Sequence, residues 1–168
     1  PGVHVPVATL TRHLQLLEDL GATPTSIEEI AARIARDEPL PEFSASITFD
    51  DAYANVAANA LPALSEHGFT ATVFAPVEYI GADRLQWNDR VHALAGGNAD
   101  LARKAAEAAG LDAVSSAAEL VYALKDVPDS TRMETIRRLE EWSEMAQDPP
   151  PGSSRICTEA ELVALQEH

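Results

Sequence analysis

At 168 residues, with 46% apolar and 23% charged side chains, the chain has the composition of an ordinary globular protein, and its length sets one domain as the expectation. Acidic groups outnumber basic ones 27 to 12, a net charge of −15, so the surface repels a phosphate backbone and an anionic lipid surface alike. That argues against nucleic acid or membrane as the main partner. The single cysteine, Cys157, rules out an internal disulfide, no apolar run is long enough to span a bilayer, and no basic-then-apolar leader pattern is present. Cytoplasm and periplasm both stay open.

From Thr9, Leu10, Leu14, Leu17 and Leu20 recur at helical spacing, and Gly21 is placed to end the helix. Ser26 and Glu29 form a capping box that opens a second helix, with Ile27, Ile30, Ala31 and Ile34 on one face. Pro39 and Pro41 close it. Phe43, Ala45, Ile47 and Phe49 then alternate with Ser44, Ser46 and Thr48, the pattern of one strand that ends at Asp50-Asp51. The stretch 55–67 is helical in composition and contains Pro62, which predicts either a kink or a helix starting near Asn59 with Pro62 in its first turn. Gly68 ends it, and residues 70–75 form a second strand bounded by Pro76.

Strand, helix and strand at this spacing make a βαβ unit, so the two strands are expected parallel and adjacent, with helices covering both faces. Beyond Gly81 the chain turns Ala-rich and helical. Ser116 with Glu119 caps one helix there, and Met133, Ile136, Leu139 and Trp142 line another that ends near Met145. The run 148–154, with three consecutive prolines, reads as a linker. Thr158 and Glu161 open a last helix, with Leu162 and Leu165 starting its stripe. That helix meets His168 with no capping residue, which predicts a longer polypeptide. The organisation expected is a single, incomplete α/β domain over 1–168. Within it, N-terminal helices fill 1–41, a βαβ core 42–86, a helical insertion 87–147, a linker 148–157 and the start of a further helix 158–168. An open strand edge in such a part predicts self-association.

Two adjacent carboxylates at the C-terminal end of a parallel strand stand where α/β enzymes place their chemistry. On an extended chain Asp50 and Asp51 point to opposite sides, so one is free to bind a cation while the other handles protons. The competing reading has one Asp cap the next helix and the other close a turn. Tyr53 and Trp87 are candidates for stacking on a sugar ring, against the alternative of core packing. His67, at a helix C-terminus, and His92 read as structural, and Cys157 as a buried thiol. No phosphate-binding glycine loop follows Gly96-Gly97.

The run Ser46-Ile47-Thr48-Phe49-Asp50-Asp51-Ala52-Tyr53 resembles the first motif of the polysaccharide deacetylases (NodB-homology domain, carbohydrate esterase family 4), T-F-D-D-G. The stretches Asn59–Leu64, His67–Phe69 and Ala71–Pro76 are similar to the helix, turn and second strand that follow it. Tyr79-Ile80-Gly81 and Trp87–Arg90 resemble a bacterial subgroup with a helical insertion next. The resemblance covers 9–92 and, more weakly, 156–168. It implies a deformed (β/α) barrel that hydrolyses acetyl groups from amino sugars, with Asp50 as general base, Asp51 as ligand of a divalent metal, usually zinc, and a carbohydrate as substrate. The alternative is a non-catalytic, deacetylase-like module that binds a glycan or protein.

Two departures stand out. Ala52 occupies a position where the family has Gly, which restricts the turn after the acid pair. The family also takes two metal ligands from a later H-x-x-x-H motif. Of His4, His13, His67, His92 and His168, no two lie one helical turn apart. The family's histidine motif follows a helix similar to 159–168, so those ligands are expected beyond His168.

Overall fold

The first helix, α1, runs over Val7–Asp19 behind Pro6, whose ψ of 144° keeps it the last extended residue before the helix. Leu14 is wholly buried and Leu10 and Leu17 partly so, whereas Leu20 falls past the helix end and is exposed. The computed structural model describes residues 5–143 and 154–166. A short strand the sequence pattern does not announce, β1 (Thr23–Pro24), follows. Ser26 then accepts the Glu29 N–H at 3.1 Å and opens α2, Ile27–Ala35. The apolar face expected on α2 is not covered: none of its residues is buried, and Ile34 is 68% exposed.

The strand expected over 43–49 divides in two. β2 (Ser44–Ala45) lies parallel to β1, and β3 (Ile47–Phe49) lies parallel to β4 (Ala71–Val73), with Ile47 opposite Ala71 and Phe49 opposite Val73. The chain changes partner at Ser46. The parallel pairing of β3 with β4 is the one the βαβ pattern predicts, and the Phe74 N–H extends it to the Phe49 carbonyl at 2.8 Å. One face of this pair, with Ile47, Phe49, Ala71 and Val73, packs on a core of Leu14, Val56, Ala60, Ala63, Leu64 and Phe69. Thr48, on the other face, is exposed, so the strands are not the doubly covered kind expected.

Pro62 shapes the crossover. Lacking an N–H, it cannot complete an ordinary helical ladder. The chain widens into a π-type turn over Val56–Ala60, in which the Leu61 N–H reaches the Val56 carbonyl five residues back. An ordinary helix, α3 (Leu61–Glu66), follows with Pro62 in its first turn. A 3₁₀ turn over Val77–Tyr79 comes after β4.

The chain divides into two units, Gly2–Ala82 with Ser153–His168 and Asp83–Gly152, where length alone predicts one domain. The second unit closes a core of its own from α4 (Trp87–Ala95), α5 (Ala99–Ala108), α6 (Ala117–Ala123) and α7 (Asp129–Ser143). Leu120, Leu124, Ile136 and Leu139 are essentially without exposure in it, and the small residues Ala102, Ala105 and Ala106 let α5 approach its neighbours closely. Caps define these helices. Asn98 accepts the Leu101 N–H at 3.0 Å, and Ser116 accepts the Glu119 N–H at 3.2 Å. Gly96 is obligatory after α4, because a Cβ there would stand 2.3 Å from the His92 carbonyl oxygen. The stripe expected on α7 is correct at Ile136, Leu139 and Trp142, but Met133 is 48% exposed. Met145 lies outside the described residues.

The last helix, α8 (Glu159–Gln166), belongs to the first unit. Thr158 and Glu161 form the expected capping box: the Glu161 N–H donates to Thr158 Oγ1 at 3.2 Å, and the Thr158 N–H to Glu161 Oε2 at 2.8 Å. Arg155 adds a bidentate pair to both Glu161 oxygens at 2.7 Å each. These donors, the Arg155 guanidinium first, hold the Glu161 carboxyl down to about 2, against 4.5 when unperturbed. A carboxylate depressed in the folded state contributes stability above pH 4.5 that is lost as pH falls toward 2. Both side chains are more than a third exposed, so solvent screening keeps the contribution small. We predict that denaturant-derived stability of the wild type, minus that of Glu161→Gln, shrinks as pH is lowered from 5 to 2.5. A difference that stays constant with pH would remove the pair from the acid response.

Candidate active site

β3 ends at Phe49 and delivers Asp50 and Asp51 into a tight turn. Asp51 has φ +66° and Ala52 φ +48°, two successive non-glycine residues in the left-handed region. Each costs roughly 1–2 kcal/mol relative to an extended or helical backbone. The structure thereby replaces the opposed geometry expected of neighbours on an extended strand: the alternation stops at Asp50, because Asp51 no longer has strand dihedrals. Ala52 adopts the conformation for which glycine is the default residue, and its methyl is fully buried.

Asp50 is exposed and Asp51 half-buried. Among the described residues no hydrogen-bond donor or cation meets either carboxylate, so neither caps the following helical turn nor closes this one. Tyr53, half-buried, lies on the same loop two residues on.

The loop is held by a segment from far along the chain. The Cys157 N–H donates to the Ala52 carbonyl at 2.9 Å, and the Ala54 N–H donates to the Arg155 carbonyl at 2.8 Å, with Tyr53 and Ile156 facing each other in an antiparallel bridge. The Gly81 N–H donates to the Cys157 carbonyl at 3.1 Å. Ile156 and Cys157 are 1% and 0% exposed. The expected linker over 148–157 thus ends differently: 155–157 is a buried, paired strap. The local signal was the apolar pair Ile156-Cys157 between Arg155 and Thr158, masked by the prolines before it.

Trp87 and His67 have partners of their own. Trp87 opens α4 in the Asp83–Gly152 unit and packs on that unit's core, with the Arg132 guanidinium 4.8 Å above its ring centre. Arg132 is fixed there by the Leu124 and Val127 carbonyls and by Asp129. One face of the indole is therefore already covered. His67 caps α3 and sits 3.0 Å from Glu18, a structural role. His92, half-buried in α4, has its pKa lowered chiefly by burial. His13 is exposed on α1, and His4 and His168 lie outside the described residues. Burial, with the Glu161 charge second, pushes the Cys157 thiol up and makes it unreactive rather than nucleophilic.

Among the described residues no three His, Cys, Asp or Glu side chains gather closely enough to hold a metal ion. Catalytic zinc takes about three protein ligands, so the adjacent carboxylates do not by themselves fit the divalent cation that the family resemblance implies.

Comparison with known proteins bears on this loop directly. Residues 37–108 match the model of the polysaccharide deacetylase family, a stretch that begins before β2 and runs to the end of α5. Over this stretch, less than half of the chain, the sequence is similar to the polysaccharide deacetylases. The matched segment contains Asp50, Asp51, Tyr53 and Trp87. Among solved structures, that of the Streptococcus pyogenes deacetylase PplD in complex with acetate aligns at 16% identity and a TM-score of 0.43, covering 80% of this chain and 70% of that one. No curated protein matches. Among the described residues, no helix is long and apolar enough to cross a membrane.

Proposed function

We propose that this chain supplies the acid pair of a carbohydrate deacetylase, which hydrolyses an acetyl group from an amino sugar or polysaccharide. In this reading the β3–β4 pair is part of a deformed (β/α) barrel. The observation that carries it is the placement of Asp50 and Asp51. Two carboxylates without hydrogen-bond partners among the described residues stand at the C-terminal end of a parallel strand, inside the stretch that matches the deacetylase family.

In this reading Asp50, exposed at the end of β3, acts as the general base. As a water oxygen bonds to the acetyl carbonyl carbon, the water proton passes to the Asp50 carboxylate. When the carbon–nitrogen bond breaks, that proton moves to the departing amine, and acetate and a free amino sugar leave. Asp51, half-buried and fixed by the left-handed turn, is the carboxylate this chain offers toward a divalent metal, zinc by the family resemblance. Tyr53, on the same loop, is the aromatic residue available to pack on a sugar ring.

The test is acetate release from N-acetylated glucosamine oligomers by the full native protein, followed by an enzyme-coupled acetate assay. Release above the spontaneous rate supports the reading; none, across oligomers and acetylated polysaccharide, overturns it. Metal binding gives a separate check. Because the described residues gather no three-ligand site, zinc titrated into the 168-residue chain is expected to bind this loop only on the order of millimolar. Submicromolar one-to-one binding that disappears in Asp51→Ala would show instead that these residues complete a site.

A further inference from the structure

We propose that the strap 155–157, latched to α8 by Arg155 and Glu161, is a positioning device that holds the Asp50–Asp51 turn in its left-handed conformation. This rests on the reading of the acid pair as catalytic, and the measurements below separate the two.

The turn has little of its own to keep it. Neither Asp51 nor Ala52 is a glycine, and the side chain of Asp51 makes no hydrogen bond among the described residues. Backbone hydrogen bonds reach the turn from the strap. Its backbone closes on both sides of Tyr53, through the Ala52 carbonyl and the Ala54 N–H. Burial of Ala52, Ile156 and Cys157 seals that contact from water, which strengthens each hydrogen bond inside it. The far edge of the strap is tied to Gly81, at the end of the segment that follows β4. Its C-terminal end runs straight into the capping box, where Glu161 takes the Thr158 N–H and both arms of Arg155. Arg155 also donates to the Ile156 carbonyl at 3.2 Å, so the guanidinium grips the strap and the helix together.

Removing the latch therefore loosens the strap first and the turn second, while the α4–α7 unit keeps its own core. Arg155 and Glu161 touch no reacting group in this scheme; they act through Ala52 and Asp51. The strap also carries a native reporter, since the Cys157 thiol is wholly buried in it.

The experiment compares Arg155→Ala, Glu161→Gln and Arg155→Lys in the full chain. It measures the rate at which Cys157 reacts with an aromatic disulfide reagent and the backbone carbon shifts of Asp51 and Ala52 by NMR. Arg155→Ala is expected to speed thiol reaction by about tenfold, the scale of losing charge-assisted hydrogen bonds, and to move the Asp51 and Ala52 shifts off left-handed values. Shifts of α4–α7 stay in place. Glu161→Gln, which keeps an oxygen for the cap, and Arg155→Lys, which keeps the charge, fall between it and wild type. If thiol reaction accelerates while Asp51 and Ala52 stay put, the strap does not position the turn and the proposal fails. If Cys157 stays protected in Arg155→Ala, the ion pair is no latch and the proposal fails equally. Both readouts are independent of acetate release, so an inactive protein with a coupled strap would sink the catalytic reading alone. In an active protein, the expected signature is a fall in kcat/KM, because the turn that carries Asp50 and the strap-paired Tyr53 is the part that loosens.

Discussion

Asp50→Asn is expected to lower acetate release by about 10²–10⁴-fold, the scale of losing a general base, and to change stability by no more than about 0.5 kcal/mol. Both halves follow from the same geometry. The side chain is exposed and, among the described residues, no donor meets it, so the amide leaves no buried group unsatisfied. The amide cannot accept a proton from water at neutral pH, so the chemical step loses its base. The competing role, an acid that caps the next helical turn, predicts the reverse: about 1 kcal/mol of stability lost and activity retained. Urea unfolding beside the acetate assay separates them. A variant that keeps more than a tenth of wild-type turnover would remove Asp50 as the base.

In the helical unit, the largest effect on stability is expected from Leu120→Ala, about 3 kcal/mol. Leu120 has no exposed surface and sits among Leu124, Ile136 and Leu139, each likewise sealed. Truncation removes apolar burial and leaves a void that rigid helices on every side cannot close. Leu16→Ala on α1 is the control. Leu16 is 55% exposed, and its loss should cost no more than about 0.5 kcal/mol. Urea denaturation of both variants measures the contrast. A loss below about 1 kcal/mol for Leu120→Ala would mean that this core is loosely packed.

What could be read from the residues was whatever neighbours in sequence decide. The hydroxyls of Ser26, Ser116 and Thr158 each accept an N–H three residues on, as the capping pattern requires. Pro62 falls in a first helical turn, and the segments around Ile47 and Thr72 pair in parallel. The acid pair emerges where its strand stops. Distant partners decided the rest. Pro24 counts against a strand on local grounds, yet β1 forms because the chain at Ser44–Ala45 offers it an edge. The single alternating run over 43–49 breaks because two different strands bind its two halves. The alternation of Ile27, Ile30 and Ile34 says only that α2 has an apolar face, not that anything covers it. Nothing local marks the left-handed turn, since Asp51 and Ala52 carry no glycine to announce it.

The strap has a consequence for how the molecule assembles. Ala52 and Cys157 meet across about a hundred intervening residues, so the contact that completes the acid loop carries one of the largest closure costs available to this chain. Helices α1 to α7 and the β3–β4 crossover can form from nearer pieces beforehand. The acid loop is then expected to be the last part to take shape during refolding, with thiol protection at Cys157 trailing helix formation seen by circular dichroism. Simultaneous recovery of both signals would place the long-range closure in the folding nucleus instead.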